Sequence, residues 1–134
     1  MRKPLLPFLV ALIIVPSARA DVGIVLSKLV VHRCGWIRGT GDGSGLPVYL
    51  VPKRFAPKRE GSTEPRSARP PRPPFILLGR LHRTGNVYAT QRFRFRVPRV
   101  RPGLYRVFLY CRACGGSLIV SGNTFKGQTL RVVR

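Results

Sequence analysis

Residues 92–116, RFRFRVPRVRPGLYRVFLYCRACGG, leave this chain few folds to choose from. Successive strand side chains point to opposite sides, so the strict alternation here puts Phe93, Phe95 and Val97 on one face and Arg92, Arg94 and Arg96 on the other. That is a half-buried strand with a cationic outer face. Val97-Pro98 and Arg101-Pro102-Gly103 then end the ladder and turn the chain, since proline has no amide donor and Gly103 is free to take positive φ. In the strand that follows, Tyr105, Val107, Leu109 and Cys111 share one side and are expected to face the core. Arg106, Phe108, Tyr110 and Arg112 share the other, where the two aromatic rings could stack on a ligand. Residues 112–116 turn the chain into 117–121, giving a hairpin with Cys111 and Cys114 at its tip.

Other segments read as strands around this one. Residues 21–33 are rich in Val, Ile and Leu, with a break at Ser27-Lys28, and predict one long bent strand or two short ones. The glycine-rich run 39–45, GTGDGSG, predicts a flexible turn with Asp42-Gly43 at its tip. It is not a phosphate loop, which needs Gly-Lys-Ser/Thr opening a helix. Further strands are expected over 46–51, 75–81, 87–97 and 129–133, with turns at 83–86 and 122–124. No segment of 21–134 has a helical period, so the expected fold is all-β, an antiparallel sandwich of about seven strands. Residues 53–74, KRFAPKREGSTEPRSARPPRPP, are too polar to offset the entropy of ordering and are expected to form a long unstructured basic loop interrupting a single domain over 21–134.

Residues 1–20 have the layout of a secretory signal peptide. Arg2 and Lys3 precede an apolar run from Leu5 to Val15, and Ala18-Arg19-Ala20 is a small-x-small cleavage site. The run is shorter than the roughly 20 residues a bilayer span needs, and no later segment could span a membrane. The expected mature chain is therefore secreted or held at the cell envelope. It carries 22 basic against 4 acidic side chains, a net charge of +18. A field of that sign concentrates polyanions, and outside the cytoplasm those are anionic envelope polymers, lipid headgroups or extracellular nucleic acid. Arg92, Arg94 and Arg96, spaced two apart on one face, are the candidate contacts for repeating phosphates or carboxylates.

The three cysteines, Cys34, Cys111 and Cys114, allow one disulfide and one remaining thiol in an oxidising compartment. Loop entropy favours Cys34 with Cys111, which are 77 positions apart, by roughly 4 kcal/mol, with Cys34 to Cys114 almost equivalent and the short Cys111 to Cys114 loop gaining much less. Two other uses of these residues stay open. His32, Cys34, Cys111 and Cys114 have the composition of a Cys3His zinc site, and Cys111-Arg112-Ala113-Cys114 has the spacing of a thiol redox pair with Arg112 available to lower a thiol pKa. Acid–base catalysis finds no footing, because Asp21, Asp42, Glu60 and Glu64 form no pair on the strands and no Gly-x-Ser-x-Gly elbow occurs. A non-catalytic protein without a cofactor is expected.

The element Pro102-Gly103-Leu104-Tyr105-Arg106-Val107, running on to Cys111, resembles the Pro-Gly-x-Tyr-x-Val strand entry of immunoglobulin-like and prealbumin-like modules in exported proteins. The wider layout, with LPVYLVP, FRVPRVRPGLYRV and CRACGGSLIVSG, also looks like small secreted proteins of actinomycete-type bacteria. These resemblances imply a non-catalytic immunoglobulin-like β-sandwich. Trp36 lies two positions after Cys34 rather than between two widely spaced cysteines, a departure from antibody-type domains.

Overall fold

A computed structural model describes residues 23–57, 70–86, 89–122 and 127–134. The expected signal peptide, the middle of the 53–74 segment and most of the 122–124 turn lie outside the described residues. Within them the chain is all-β, with nine strands in two sheets that pack as a sandwich. Strands β1 (Ile24–Leu26), β3 (Trp36–Asp42) and β6 (Thr90–Arg96) make the smaller sheet in the order β1-β3-β6. The larger sheet runs β2 (Val30–His32), β9 (Leu130–Val133), β7 (Gly103–Cys111), β4 (Pro47–Pro52) and β5 (Ile76–Arg80), with β8 (Ser117–Val120) paired to the second half of β7. The break after Leu26 divides 24–32 into two short strands in different sheets, β1 antiparallel to β3 and β2 parallel to β9. Among the described residues no helix is long and apolar enough to cross a membrane.

Alternation along β7 places Tyr105, Val107 and Leu109 between the sheets, where they meet Ile24, Leu26, Ile37, Val48, Leu50, Phe93, Leu130 and Val132 in the main core. The Tyr105 hydroxyl donates a hydrogen bond back to the carbonyl of Arg101 and fixes the entry of β7. Phe108 and Tyr110 point away from the main core, as the alternation requires. They are nonetheless buried and unavailable for stacking on a ligand, because a second core with Tyr49, Val51, Leu118 and Val120 forms on that face. Ala56 and Phe75 cover it, and the Phe75 ring packs edge-on against Tyr49 and Phe108 at centroid distances of 6.4 and 5.9 Å.

Two sequence expectations need correction. The first is the 53–74 segment, whose ends are ordered. Lys53–Phe55 form a 3-10 turn, and residues 70–75 return to β5, because Ala56 and Phe75 find apolar surface that only the folded sheet offers. The second is the glycine-rich run, whose first part, Gly39 to Asp42, is strand, leaving the turn to 43–45, where Gly43 and Gly45 take positive φ. β3 continues through Gly39 and Gly41 to Asp42 and pairs with all seven residues of β6, from Trp36 opposite Arg96 to Asp42 opposite Thr90. The reason is a close approach between elements. A methyl group on Gly39 would meet the Val25 carbonyl oxygen and the Phe93 ring, and one on Gly41 would meet Leu81 at 3.0 Å. Glycine is poor in strands by propensity, but here its missing side chain is what lets the small sheet close.

Gly39→Ala is expected to lower stability by about 1–3 kcal/mol, read as a shifted urea midpoint, because backbone rather than a flexible side chain would have to move. The second core predicts a pH effect. Burial raises the Tyr49 phenol above its ordinary value of 10.0, Arg80 opposes this and Tyr110 adds to it. Above pH about 10 the unfolded phenol loses a proton that the folded one keeps, so stability should fall as pH rises from there toward the folded pKa. Urea midpoints between pH 8 and 11 should fall less steeply in Tyr49→Phe than in the unaltered chain.

Candidate polyanion-binding face

The outer face of the small sheet gathers the arginines predicted from alternation and adds residues hidden in the glycine-rich run. Arg92, Arg94 and Arg96 are all exposed on β6, while Phe93 is buried and Phe95 half-buried beneath them. Along a strand, side chains two apart are about 6.7 Å apart, so the three guanidinium groups form a regular row. Thr40, Arg38 and Trp36 stand opposite them on β3. Arg38 is exposed and faces Arg94, which places like charges directly across the ladder. Trp36 is half-buried and lies under two cations, with the guanidinium carbons of Arg94 and Arg96 at 4.7 and 4.6 Å from its ring centroid.

That stacking sets what the face can do. The negative face of the indole ring attracts each guanidinium by about 0.5–1 kcal/mol at an exposed site and limits its rotamers. A stacked guanidinium still presents its N–H edge, so Arg94 and Arg96 are oriented donors rather than free tethers. Arg96 also donates to the carbonyl of Cys34 at 3.4 Å. No ion pair neutralises Arg38, Arg92 or Arg94 among the described residues. Asp42, the single side-chain carboxylate there, sits at the far end of β3 and accepts a hydrogen bond from Thr90 at 2.6 Å.

The row continues over the free edge of β6. A groove of about 770 Å3 is lined by Arg38, Arg92 and Arg94 together with Arg80 and His82, which end and follow β5 on the neighbouring edge of the larger sheet. Gln91 holds that edge in place. Its amide accepts from the His82 backbone N–H at 2.8 Å and donates to the His82 carbonyl at 2.9 Å. Sequence reading missed Arg38, Arg80 and Trp36. The signal for two of them was present as the alternation Trp36, Arg38, Thr40 against Ile37, Gly39, Gly41, obscured by the glycines.

The cysteines are not brought together as loop entropy favours. The disulfide joins Cys111 and Cys114, with Cα atoms 5.2 Å apart, and Cys34 is a free, exposed thiol. Strand register explains why. His32 lies beside Val133, and Val132 beside Gly103 at the start of β7, whereas Cys111 ends that nine-residue strand. Cys34 is thus about 25 Å from the hairpin tip, far beyond the reach of a disulfide. The tip itself folds back through hydrogen bonds from Cys114 N–H to the Cys111 carbonyl and from Gly116 N–H to the Arg112 carbonyl, with Gly115 and Gly116 at positive φ. The same separation divides the Cys3His set. His32 and Cys34 occupy one end, where the His32 ring contacts the Arg134 carbonyl at 2.9 Å, and the bridged pair occupies the other. No cluster of metal-ligating side chains occurs among the described residues.

Alkylation of the native protein without reductant should therefore add one adduct, at Cys34, by intact mass, and reduction under denaturing conditions should add two more. Three adducts before reduction would contradict the bridge.

Compared with protein-family models, with curated proteins and with solved structures, the chain matches none, so its chemistry rests on its own residues.

Proposed function

We propose that this is an exported, non-catalytic β-sandwich that holds anionic polymers at the cell envelope through the outer face of its small sheet. The observation that carries the reading is the row Arg92, Arg94 and Arg96, uncompensated among the described residues, with Arg38 across the ladder and two of the guanidinium groups stacked on Trp36. Mutual repulsion within such a row is relieved when a repeating anion lies along it. Oriented guanidinium edges suit phosphate, sulfate and carboxylate oxygens, which accept paired N–H donors. Residues 1–20 support export by their signal-peptide layout, and export places the face among envelope polyanions.

The sandwich itself belongs, on this proposal, to the immunoglobulin-like class. Support comes from the switch of the first strand between sheets, the parallel pairing of β2 with the last strand, and the tyrosine corner made by Tyr105 with the Arg101 carbonyl. Trp36 faces outward here, in line with a chain that lacks the antibody arrangement of core tryptophan and inter-sheet disulfide.

Binding to linear polyphosphate, followed by titration across salt, tests the assignment. The slope of log Kd against log salt should fall by about two when Arg92, Arg94 and Arg96 are replaced together by Gln, with the fold intact by circular dichroism. An unchanged slope would mean that total charge, and not this face, retains the polymer.

A further inference from the structure

The opposite side of the sandwich carries a surface of different chemistry. Of the six large apolar side chains that are about half exposed among the described residues, Leu104 at 42 % and Val30 at 57 % stand at one end of the larger sheet, and Phe55 at 50 % is in the turn that follows β4. Scattered exposed apolar residues need no explanation, but Val30 and Leu104 are grouped by register, and the turn that carries Phe55 packs beside β7. Val30 and Leu104 both pair with Arg131 of β9, so the three stand in one row across the outer face of the larger sheet, with the apolar pair about 10 Å apart. Beside Leu104 the 3-10 turn Lys53–Phe55 supplies the third apolar residue and two cations, and the Arg54 guanidinium lies 4.6 Å from the centre of the Phe55 ring.

Between that turn and residues 100–104 runs a groove of about 870 Å3, with Ile76, Val100 and Leu104 among its apolar lining and Arg54 and Arg101 beside them. Among the described residues the charge there is of one sign. Asp42, the single described side-chain carboxylate, is on the other sheet, at the end of β3 away from Trp36. A surface that interleaves half-exposed apolar side chains with cations complements a phase that presents anions above hydrocarbon. A soluble polyanion would engage the cations and leave Phe55, Leu104 and Val30 in water.

We infer that the end of the larger sheet formed by Phe55, Leu104 and Val30, with Lys53, Arg54 and Arg131, docks on the surface of an anionic lipid bilayer. The cations meet headgroup phosphates, and Phe55 and Leu104 enter the boundary between headgroups and acyl chains. This goes beyond polymer binding on the small sheet and uses the other face of the molecule, so the two readings can fail separately.

Tryptophan fluorescence tests it, because Trp36 lies on the outer face of the small sheet and reports the opposite orientation. Protein purified after export is mixed with vesicles of phosphatidylglycerol or of phosphatidylcholine. Phe55→Trp should give a blue-shifted emission on phosphatidylglycerol vesicles that bromine-labelled acyl chains quench, whereas emission from Trp36 in the unaltered protein should not be quenched. Phe55→Ser combined with Leu104→Ser should lower the partition coefficient at least about tenfold, with melting unchanged. Phe55→Ser alone serves if the double variant melts early. Quenching of Trp36, equal partition of the Ser variants, equal binding to phosphatidylcholine, or complete release by salt without quenching of residue 55 would each overturn the proposal.

Discussion

Strand β7 is buried on both faces and hydrogen-bonded along both edges, and the arrangement of the other strands follows from that. Its inner side chains need an opposing sheet, which β1, β3 and β6 provide across the main core. Its outer aromatic pair, Phe108 and Tyr110, needs a separate lid, since a sheet face of that size left in water would forgo about 25 cal/mol for each Å2 of apolar surface. Ala56 and Phe75 supply it, so the two ends of an otherwise polar, proline-rich segment are drawn down onto the sheet. The Tyr105 bond to Arg101 holds the strand where both cores can form.

The two outer faces of the sandwich then have different fates. Behind β7 the larger sheet is covered over its middle and leaves apolar side chains and cations together at one end. Among the described residues the small sheet has no second layer. Its outer face carries Arg38, Arg92, Arg94 and Arg96, and because the inward residues Ile37, Phe93 and the close-packed Gly39 and Gly41 hold the sheet, the outer positions are free to bear charge. Opposed arginines on paired strands oppose folding slightly, and Trp36 offsets part of that repulsion by stacking. The same arginines discourage edge-to-edge pairing along the free edge of β6. Charge on that strand therefore guards a free edge and, on the proposed function, attracts polyanions at once.

Much of this was legible from residue order. The Arg and Phe alternation of β6, the turn at Pro102-Gly103 and the inner set of β7 follow from a two-residue period that the backbone imposes locally. The division of 24–32 into two strands was one of two readings of the same segment. The glycine-rich β3 was not legible, because glycine weakens every local strand signal and its advantage lies in contacts with Val25, Leu81 and Phe93, remote in the chain. With β3 went Arg38 and Trp36, half of the candidate face. The cysteine pairing failed for a related reason. Loop entropy compares unfolded chains, whereas a bridge forms only between groups that the fold places within a few ångströms, and Cys34 lies at the other end of the sandwich.

Residue order establishes that this chain makes strands, where most of them lie, which of their side chains share a side, and that the charge it displays is positive. Which sides are wet is set by packing. Phe108 and Arg94 both point outward from the main core, yet one is sealed under Phe75 and the other faces solvent. Direction along a strand is a property of adjacent residues, but burial, disulfide pairing and the company a charge keeps depend on partners tens of residues away, and those are chosen by packing the whole domain at once.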